Sequence, residues 1–378
     1  LFGSFLFFVT AVKGQENYTI SGKITDQSDG ETLFGASVFL VGTSIGAITN
    51  EYGFYSLTAP AGKYTLNISY IGYAEINKEV VLNSNLKIDF EIAASSTQLN
   101  EVVVAADEPE RAILRKPEMS VSKMNIQTVK QMPVVLGEVD IIKSLQMLPG
   151  VTSNGEGSSG FHVRGGAADQ NLVLLDEAII YNTSHMLGFF SVFNADAIKD
   201  IKLYKGGIPA RFGGRTSSVL DVRQKDGNNK HFEMTGGIGL ISSRLALEGP
   251  LFTEKGSFLI AGRGSYAHLL LKAAGEENSA NFYDLNLKSN YNLNDNNKLY
   301  LSGYFGRDAF EFGESFSTSY GNLSGNIRWN HIFNERLFSN LSLIYSKYDY
   351  SLGIKIEEFD WVSSINNYNL KYDLKYYF

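Results

Sequence analysis

The chain of 378 residues contains no cysteine, 2 tryptophans, 5 histidines and 7 prolines. The lack of cysteine excludes disulfides, thiolate metal sites and cysteine nucleophiles. No apolar run reaches the ~18 residues that a membrane-spanning helix requires. The net charge of −7 gives no electrostatic reason to expect a nucleic-acid partner. Together these absences argue against a disulfide scaffold, a helical membrane protein and a nucleic-acid-binding protein.

Aromatic residues, in contrast, are abundant, and 21 Tyr and 25 Phe help to bring the aromatic content to 13%. The mean hydropathy is only −0.10, because Ser, Asn and Gly separate the apolar residues. This mixture is typical of alternating β-strands. The aromatic surplus also suits the belts that outer-membrane barrels form at both membrane–water interfaces.

Two C-terminal segments, Tyr283–Leu293 and Asn367–Phe378, alternate between apolar and polar side chains. In the first, the apolar side consists of Tyr283, Leu285, Leu287, Tyr291 and Leu293, and the polar side of Asp284, Asn286, Lys288, Asn290 and Asn292. Because side chains on a strand point alternately to opposite faces, each segment has one apolar and one polar surface. Strands of roughly 10 residues with this polarity fit a barrel wall, apolar toward lipid and polar toward the lumen.

Seven strand candidates follow residue 231: Gly236–Glu248, Ser257–Leu270, Asn281–Leu293, Lys298–Phe310, Ser319–Asn330, Leu337–Tyr350 and Asn366–Phe378. Ile344 departs from the pattern, since it falls on the polar side of its strand. A barrel of roughly eight strands is filled by its own side chains and cannot house a further domain. We therefore expect residues 229–378 to be part of a larger barrel, in a sequence truncated at both ends.

The segment Leu1–Val12 is similar to the apolar core of a secretory signal, with cleavage expected after Gly14. It lacks the basic leader that should precede such a core, so we interpret residues 1–14 as a signal-peptide remnant. The alternative is a first buried strand.

Residues 15–93 predict a small β-sandwich, because short strands alternate with turns about every ten residues. Three of its segments, Ile20–Asp26, Gly35–Leu40 and Thr49–Tyr55, resemble the carboxypeptidase regulatory-like domain. The resemblance implies a rigid accessory domain and no peptidase activity. The unit also lacks histidine, so it cannot form a zinc site of the His-Glu type.

Residues 94–118 predict a linker, in which a short strand-forming run has no neighbouring partner strand. The run comprises Leu99, Asn100, Glu101, Val102, Val103 and Val104. An isolated strand of this kind suits capture by the sheet of another protein. It resembles a TonB box, which implies a TonB-type energy-transducing partner. The alternative is one further strand of the preceding sandwich.

Residues 119–228 predict an α/β domain. A helix is expected over Val134–Leu148, and Phe161–Gly166 and Leu172–Asp176 are expected as two strands around a turn. Asn194 is predicted to cap a short helix through Ile198. A strand is expected to return at Ile201–Tyr204.

Four blocks in this region occur in order over about a hundred residues: Asp140–Val151, Phe161–Gly166, Asn171–Glu177 and Lys205–Arg215. Their order and spacing resemble the plug domain of TonB-dependent outer-membrane receptors. The resemblance implies a mainly β fold: a small N-terminal sandwich, an α/β plug, and the first strands of a transmembrane antiparallel barrel. The plug residues singled out by the motif are Arg164, Gly165, Gly166, Asp176, Lys205, Gly206, Arg211, Gly213, Gly214 and Arg215.

The resemblance also suggests what the charged residues do. Arg164, Arg211 and Arg215 are expected to pair with barrel carboxylates, and contact with an anionic ligand is the alternative. His162 and His185 could sense protons or bind a metal. A neutral structural or surface role is the preferred interpretation, because the five histidines do not cluster.

The resemblance implies import of a scarce nutrient (siderophore, cobalamin, saccharide or peptide) by an energised rearrangement of the plug. The implied partners are the energy transducer, the nutrient and outer-membrane lipid. A surface lipoprotein is a further candidate, since such sandwiches occur in SusC-like glycan importers. No cofactor, metal site or enzymatic activity is expected. The alternatives are a non-transporting surface β-protein or adhesin and a signal-transducing receptor.

Overall fold

The computed structural model describes residues 16–95, 120–132, 138–153, 155, 160–313, 315–354 and 359–378, without the side chains of Asn125, Thr253 and Glu254. The signal-like segment 1–14 and the run Leu99–Val104 lie outside the described residues. The described residues form three units, called here the N-terminal sandwich, the central domain and the C-terminal sheet.

The N-terminal sandwich consists of two four-stranded sheets. Its strands are β1 Asn17–Asp26, β2 Ser37–Leu40, β3 Gly46–Ile48, β4 Phe54–Pro60, β5 Gly62–Ser69, β6 Ile76–Leu82, β7 Leu86–Lys87 and β8 Phe90–Ile92. In one sheet β1 pairs with β4, β7 and β8, and the other has the order β3-β2-β5-β6. Alternate residues such as Val38, Leu40, Leu66 and Ile68 point between the sheets and form a buried apolar core.

The central domain is built around a five-stranded sheet with the order β13-β12-β17-β16-β9. Its elements are β9 Val121–Asn125, α1 Ile126–Lys130, α2 Ile141–Gln146, β10 Val151–Ser153, β11 Phe161–Val163, β12 Asn171–Leu175, β13 Ala178–Ile179, β14 Ser184–His185, β15 Phe190–Ser191, β16 Ile198–Tyr204 and β17 Ser218–Gln224. Strands β12 and β17 run parallel, and the other neighbours are antiparallel. One face of the sheet packs on both helices, with Ile201, Leu203 and Leu220 in the core.

Two helix predictions in the central domain are wrong in extent or type. The helix predicted over Val134–Leu148 begins only at Ile141 in the described part. Asp140 is extended there, and its carboxylate accepts a hydrogen bond from the Lys143 N–H (2.9 Å), which caps the helix. The helix predicted after Asn194 is a turn, in which the Asn194 side chain accepts from the Asp196 N–H (3.0 Å) before β16 begins.

The C-terminal sheet has eight antiparallel strands in chain order. They are β18 Glu233–Ile238, β19 Ser242–Leu251, β20 Thr253–Ser265, β21 Ser279–Asn294, β22 Asn297–Phe312, β23 Phe316–Asn334, β24 Leu337–Ile354 and β25 Phe359–Tyr376, with helix α3 Ala267–Ala273 between β20 and β21. In the described part of the chain, no helix is long and apolar enough to cross a membrane.

The structure corrects two of the seven predicted strands. The segment Gly236–Glu248 contains a reversal, so it contributes to both β18 and β19, and the Gly239 N–H donates to the Ser242 carbonyl (2.8 Å). The segment Ser257–Leu270 ends as a strand at Ser265, and α3 follows. Alanine, leucine and lysine dominate α3, and these residues favour helix over strand.

Candidate functional site: the interface between the central domain and the C-terminal sheet

The C-terminal sheet buries its polar face and exposes its apolar face. On β21, Asp284, Asn286 and Lys288 are 3%, 0% and 5% exposed. Tyr283, Leu285 and Leu287 on the other face are 45%, 37% and 42% exposed. Ile344, which departs from the sequence pattern, lies on the buried side at 4% exposure. The central domain packs against the polar face and the apolar face is exposed, which is the polarity of a barrel wall that borders lipid.

The turn Asp176–Glu177, called here the inner anchor, connects the central domain to four strands of the sheet. The Asp176 carboxylate lies 3.2 Å from the Lys288 amine of β21, and the Asp176 carbonyl accepts from the Asn326 amide of β23 (2.6 Å). Glu177 accepts from the Ser342 hydroxyl of β24 (2.6 Å) and pairs with Lys371 of β25 (3.2 Å). Both turn residues have positive φ, 47° and 75°, so the backbone is held in a conformation that non-glycine residues rarely adopt.

The electrostatics of the inner anchor favour an ionised Glu177 carboxylate. Burial alone would raise the pKa of Glu177, but the charges of Arg328, Lys371 and Arg223 outweigh it and lower the pKa to about 2. Arg328 lies 3.3 Å from the Glu177 carboxylate and also donates to the Asp176 carbonyl (3.2 Å). A buried charge whose partner is removed is costly, so these pairs favour the docked arrangement of the two units.

The segment His185–Leu187, called here the outer anchor, contacts β21, β22 and β23, closer to the end of the sheet opposite the inner anchor. The His185 ring is fully buried, with Nδ1 2.6 Å from the Asp308 carboxylate and Nε2 3.3 Å from Asp284. The Met186 N–H donates to Asp308 (2.7 Å), and the Leu187 N–H donates to the Tyr320 hydroxyl (3.1 Å). Met186 and Leu187 both have a φ of 54°.

The outer anchor favours a charged imidazole. Burial lowers the pKa of His185, but hydrogen bonds to Asp284 and Asp308, together with their charges, outweigh it and raise the pKa above its usual value. Arg263 also pairs with Asp284 (2.7 Å), so two cations face two carboxylates inside the interface. The preferred prediction was a neutral structural or surface role; the structure buries His185, and its two carboxylate partners favour the charged ring. The sequence does not show which strands place Asp284 and Asp308 around His185.

Of the residues singled out from the sequence, Asp176 lies in the inner anchor, and the basic residues lie elsewhere on the central domain. Arg211 pairs with Glu51 of the N-terminal sandwich (2.8 Å), not with a carboxylate of the C-terminal sheet. Arg164 donates to the Ser120 hydroxyl (2.8 Å), and Lys205 donates to the Pro149 carbonyl (3.0 Å). Arg215 is exposed and donates to the adjacent Gly214 carbonyl (2.8 Å).

The glycines of the motif form tight turns near these basic residues. Gly165 has a φ of 82°, which favours glycine, and a Cβ on Gly166 would lie 2.2 Å from the Ser217 hydroxyl oxygen. A Cβ on Gly206 would lie 2.9 Å from the Arg164 guanidinium, whereas Gly213 has open space around it. Gly214 also has a positive φ, 82°.

Sequence reasoning did not single out Glu177 or His185 as interface residues. The available signal was the polar face of the alternating strands, which already included Asp284 and Lys288. The structure adds the partners that these polar side chains face.

His162 contacts the Gly166 carbonyl through Nδ1 (2.8 Å). Among the described residues, no group of three or more His, Asp or Glu could hold a metal ion.

Comparison with known protein families identifies two domains. Residues 20–104 match the model of the CarboxypepD_reg-like domain. Residues 115–219 match the model of the TonB-dependent Receptor Plug Domain. The first match covers the N-terminal sandwich and continues to residue 104, and the second covers most of the central domain. The interface described above therefore lies between a plug and barrel-like strands.

The curated relatives are receptors of the same kind. TonB-dependent receptor P26 of Formosa agariphila is 33% identical over 222 residues, which cover 55% of this chain and 21% of that protein. TonB-dependent receptor SusC of Bacteroides thetaiotaomicron is 28% identical over 233 residues, or 57% of this chain and 22% of that protein. The chain therefore spans about a fifth of the length of the curated relatives it matches.

Two solved structures share the fold at low identity. The siderophore receptor PirA of Acinetobacter baumannii aligns with a TM-score of 0.50 at 16% identity, covering 68% of this chain and 45% of that one. The Pseudomonas aeruginosa receptor FpvA, solved with bound pyoverdines, aligns with a TM-score of 0.52 at 12% identity, covering 69% and 40%. At these identities the comparison shows the fold alone.

Proposed function

We propose that this chain, which belongs to the TonB-dependent receptors of the outer membrane, takes part in the energised uptake of a small nutrient. In this proposal the central domain closes a barrel of which the C-terminal sheet is a part. Ligand binds at the external side, and a pull on the chain rearranges the central domain. The nutrient is a siderophore, cobalamin, saccharide or peptide.

The reversed polarity of the C-terminal sheet is the observation that supports this proposal most. A soluble adhesin would bury Leu285 and Leu287 in a core and leave Asn286 and Lys288 in water. Here the polar side chains are buried against a separate domain, through ion pairs and hydrogen bonds. Such contacts hold a domain in place yet can exchange partners without breaking a continuous apolar core.

The proposed partner is a TonB-type energy-transducing protein, which would pair with the strand-forming run Leu99–Val104. A strand that lacks a partner within its own domain offers free N–H and C=O groups to the sheet edge of another protein. Its position in the chain, between the N-terminal sandwich and the central domain, would direct a pull onto the first strand of the central domain, β9. A surface lipoprotein is a second candidate partner, since SusC is among the relatives.

The test compares two proline substitutions in the full-length receptor. Val102→Pro removes a backbone donor inside the run, and Ala106→Pro makes the same change just outside it. We expect Val102→Pro to weaken binding of the purified periplasmic domain of the energy transducer by at least about tenfold, and Ala106→Pro to change it by less than about twofold. Unchanged binding in Val102→Pro would overturn the assignment of this run.

A further inference from the structure

One rigid turn of the N-terminal sandwich, residues 50–54, contacts both of the other units. The Asn50 side chain accepts hydrogen bonds from the N–H groups of Tyr52 (2.9 Å) and Phe54 (3.0 Å). Gly53 has a φ of 72°, and a Cβ there would lie 2.7 Å from the Ile24 carbonyl oxygen. The turn therefore has little freedom to change shape, and its side chains keep fixed directions.

The two aromatic residues of this turn pack on the C-terminal sheet instead of the sandwich core. The Tyr52 and Phe54 rings lie 5.4 and 5.7 Å from the Phe338 ring, and Tyr300 and Ile332 complete the buried cluster. These side chains are at the end of the sheet where strands are joined by short turns, such as residues 295–296. Short turns face the periplasm in outer-membrane barrels. The sandwich therefore lies at the periplasmic end.

Glu51, directly before Tyr52 in the same turn, reaches the central domain. Its carboxylate lies 2.8 Å from the Arg211 guanidinium and 3.1 Å from that of Arg223. Burial would raise the pKa of Glu51, but the charges of Arg223, Lys202 and Arg211 outweigh it and hold the pKa well below its usual value. One turn thus touches the sheet with its rings and the central domain with its charge.

A second contact lies beside the turn, on the face of the five-stranded sheet that is turned away from α1 and α2. The Lys202 amine lies 3.4 Å from the centre of the Phe34 ring. The Lys199 amine donates to the Thr32 carbonyl (2.5 Å), and the Asp226 N–H donates to the Glu31 carboxylate (2.7 Å). The N-terminal sandwich therefore covers the central domain as well as bridging it to the C-terminal sheet.

We infer that the N-terminal sandwich is a latch, which holds the central domain in its closed position from the periplasmic side. Movement of the central domain relative to the barrel must break the ring contacts of Tyr52 and Phe54 or the ion pairs of Glu51. Because all three residues belong to one rigid turn, the sandwich cannot keep both sets of contacts when the central domain moves away from the sheet. This inference rests on the proposed function, since it concerns the closed state of the plug.

The test uses the full-length receptor in lipid nanodiscs. Residues 1–378 contain no cysteine, so cysteines are introduced there by substitution. Spin labels at Asn77→Cys, on the outer strand of the sandwich, and Asn296→Cys, in a short turn of the sheet, report whether the sandwich is docked. In a separate preparation, Ser324→Cys, buried on the inner face of β23, reports opening of the interface through its labelling by a membrane-impermeant maleimide.

The latch is broken by the double variant Glu51→Lys with Tyr52→Ala. Glu79→Lys is the matched control, because it makes the same charge change as Glu51→Lys at an exposed position of the same sandwich. We expect the double variant to broaden the 77–296 distance distribution. We also expect labelling at position 324 to be at least about tenfold faster, because the free energy of local opening is lower. Glu79→Lys should leave both readouts at the wild-type values.

An unchanged 77–296 distance in the double variant would show that the turn does not dock the sandwich. A broadened distance with unchanged labelling at position 324 would show that the docked sandwich does not hold the central domain. Either result overturns the latch. Neither measurement uses ligand or an energy source, so failure of the proposed uptake, seen as undiminished transducer binding by Val102→Pro, is recorded separately.

Discussion

The N-terminal sandwich and the C-terminal sheet are both built from alternating strands, yet they bury opposite faces. In the sandwich, Ile20, Val38 and Leu66 point between two sheets and have no exposed surface. In the C-terminal sheet, residues of the same type, such as Leu285 and Leu287, point outward, and Asn286 and Asn326 are buried. The period of two is the same in both regions, and only the environment of each face differs.

This difference teaches that alternation fixes which residues share a face but not which face is buried. In the sandwich the second sheet covers the apolar side. In the C-terminal sheet a separate domain covers the polar side through ion pairs, and in the proposed barrel lipid covers the other. Three changes test this contrast, beginning with the one of largest expected effect.

Arg328→Met should be the most damaging of these changes, because it leaves the carboxylate of Glu177 and the carbonyl of Asp176 with fewer partners inside the interface. Breaking a buried ion pair costs about 3–5 kcal/mol, and we expect the lower end because Lys371 still contacts Glu177. The free energy of unfolding of the full-length receptor in detergent, measured with urea, checks this.

Lys347→Met is the control for that experiment. Lys347 also belongs to an ion pair of the C-terminal sheet, with Asp349 at 2.8 Å, but its side chain is about one third exposed. An exposed pair contributes roughly 0–1 kcal/mol. If both variants lost the same small amount of stability, the polar face would not be a buried interface.

Leu287→Arg tests the apolar face. Leu287 is in the middle of β21 and exposed, so in a barrel its side chain contacts lipid. A lipid-facing Arg near the bilayer midplane costs about 2–4 kcal/mol, and we expect the folded yield of full-length receptor in lipid vesicles to fall accordingly. Val81→Arg places the same residue on an exposed apolar position of the sandwich, where water surrounds it, and should change stability by less than about 0.5 kcal/mol. Equal tolerance of both substitutions would contradict the lipid assignment.

The sequence predicted the parts of the fold that depend on local periodicity. The two faces of β21 and the succession of short strands in the sandwich follow from alternation, and the structure has both. The predicted type of secondary structure was wrong where the preferences of individual side chains competed with that pattern. Ala267–Ala273 follows an alternating segment but contains helix-forming residues, and Asn194 forms a turn through its own side chain.

The interface itself could be predicted only in part. Lys288 was placed on the correct face, but its partners Asp176 and Asp226 are more than sixty positions away in the chain, and no local pattern joins them. For the same reason the pairing of Arg211 with Glu51 was not foreseen, since it joins two domains that the sequence treats separately. Ion pairs between residues so far apart in the chain depend on how the domains dock, and local spacing in the sequence does not encode the docking.

The smallest expected effect is that of pH, and it should separate the two anchors. The pKa of Glu177 is lowered from 4.5 to about 2, so its contribution is present above pH 4.5 and is lost as the pH falls toward 2. The pKa of His185 is raised from 6.5, so its contribution is complete below pH 6.5 and is lost as the pH rises through the raised value. We expect each loss to be smaller than that of Arg328→Met, because the protonated carboxyl and the neutral imidazole still form hydrogen bonds.

The unfolding free energy of the full-length receptor, measured from pH 3 to pH 9, should fall on an acid limb and on an alkaline limb. One substitution assigns each limb. Glu177→Gln should flatten the acid limb and leave the alkaline one, and His185→Gln should do the reverse. The sandwich supplies the contrast, since its core residues Ile20, Val38 and Leu66 have side chains that do not titrate. If the acid limb persisted in Glu177→Gln, the titrating carboxylate would lie outside the inner anchor. Glu177 would then not be the main electrostatic contact of the buried polar face.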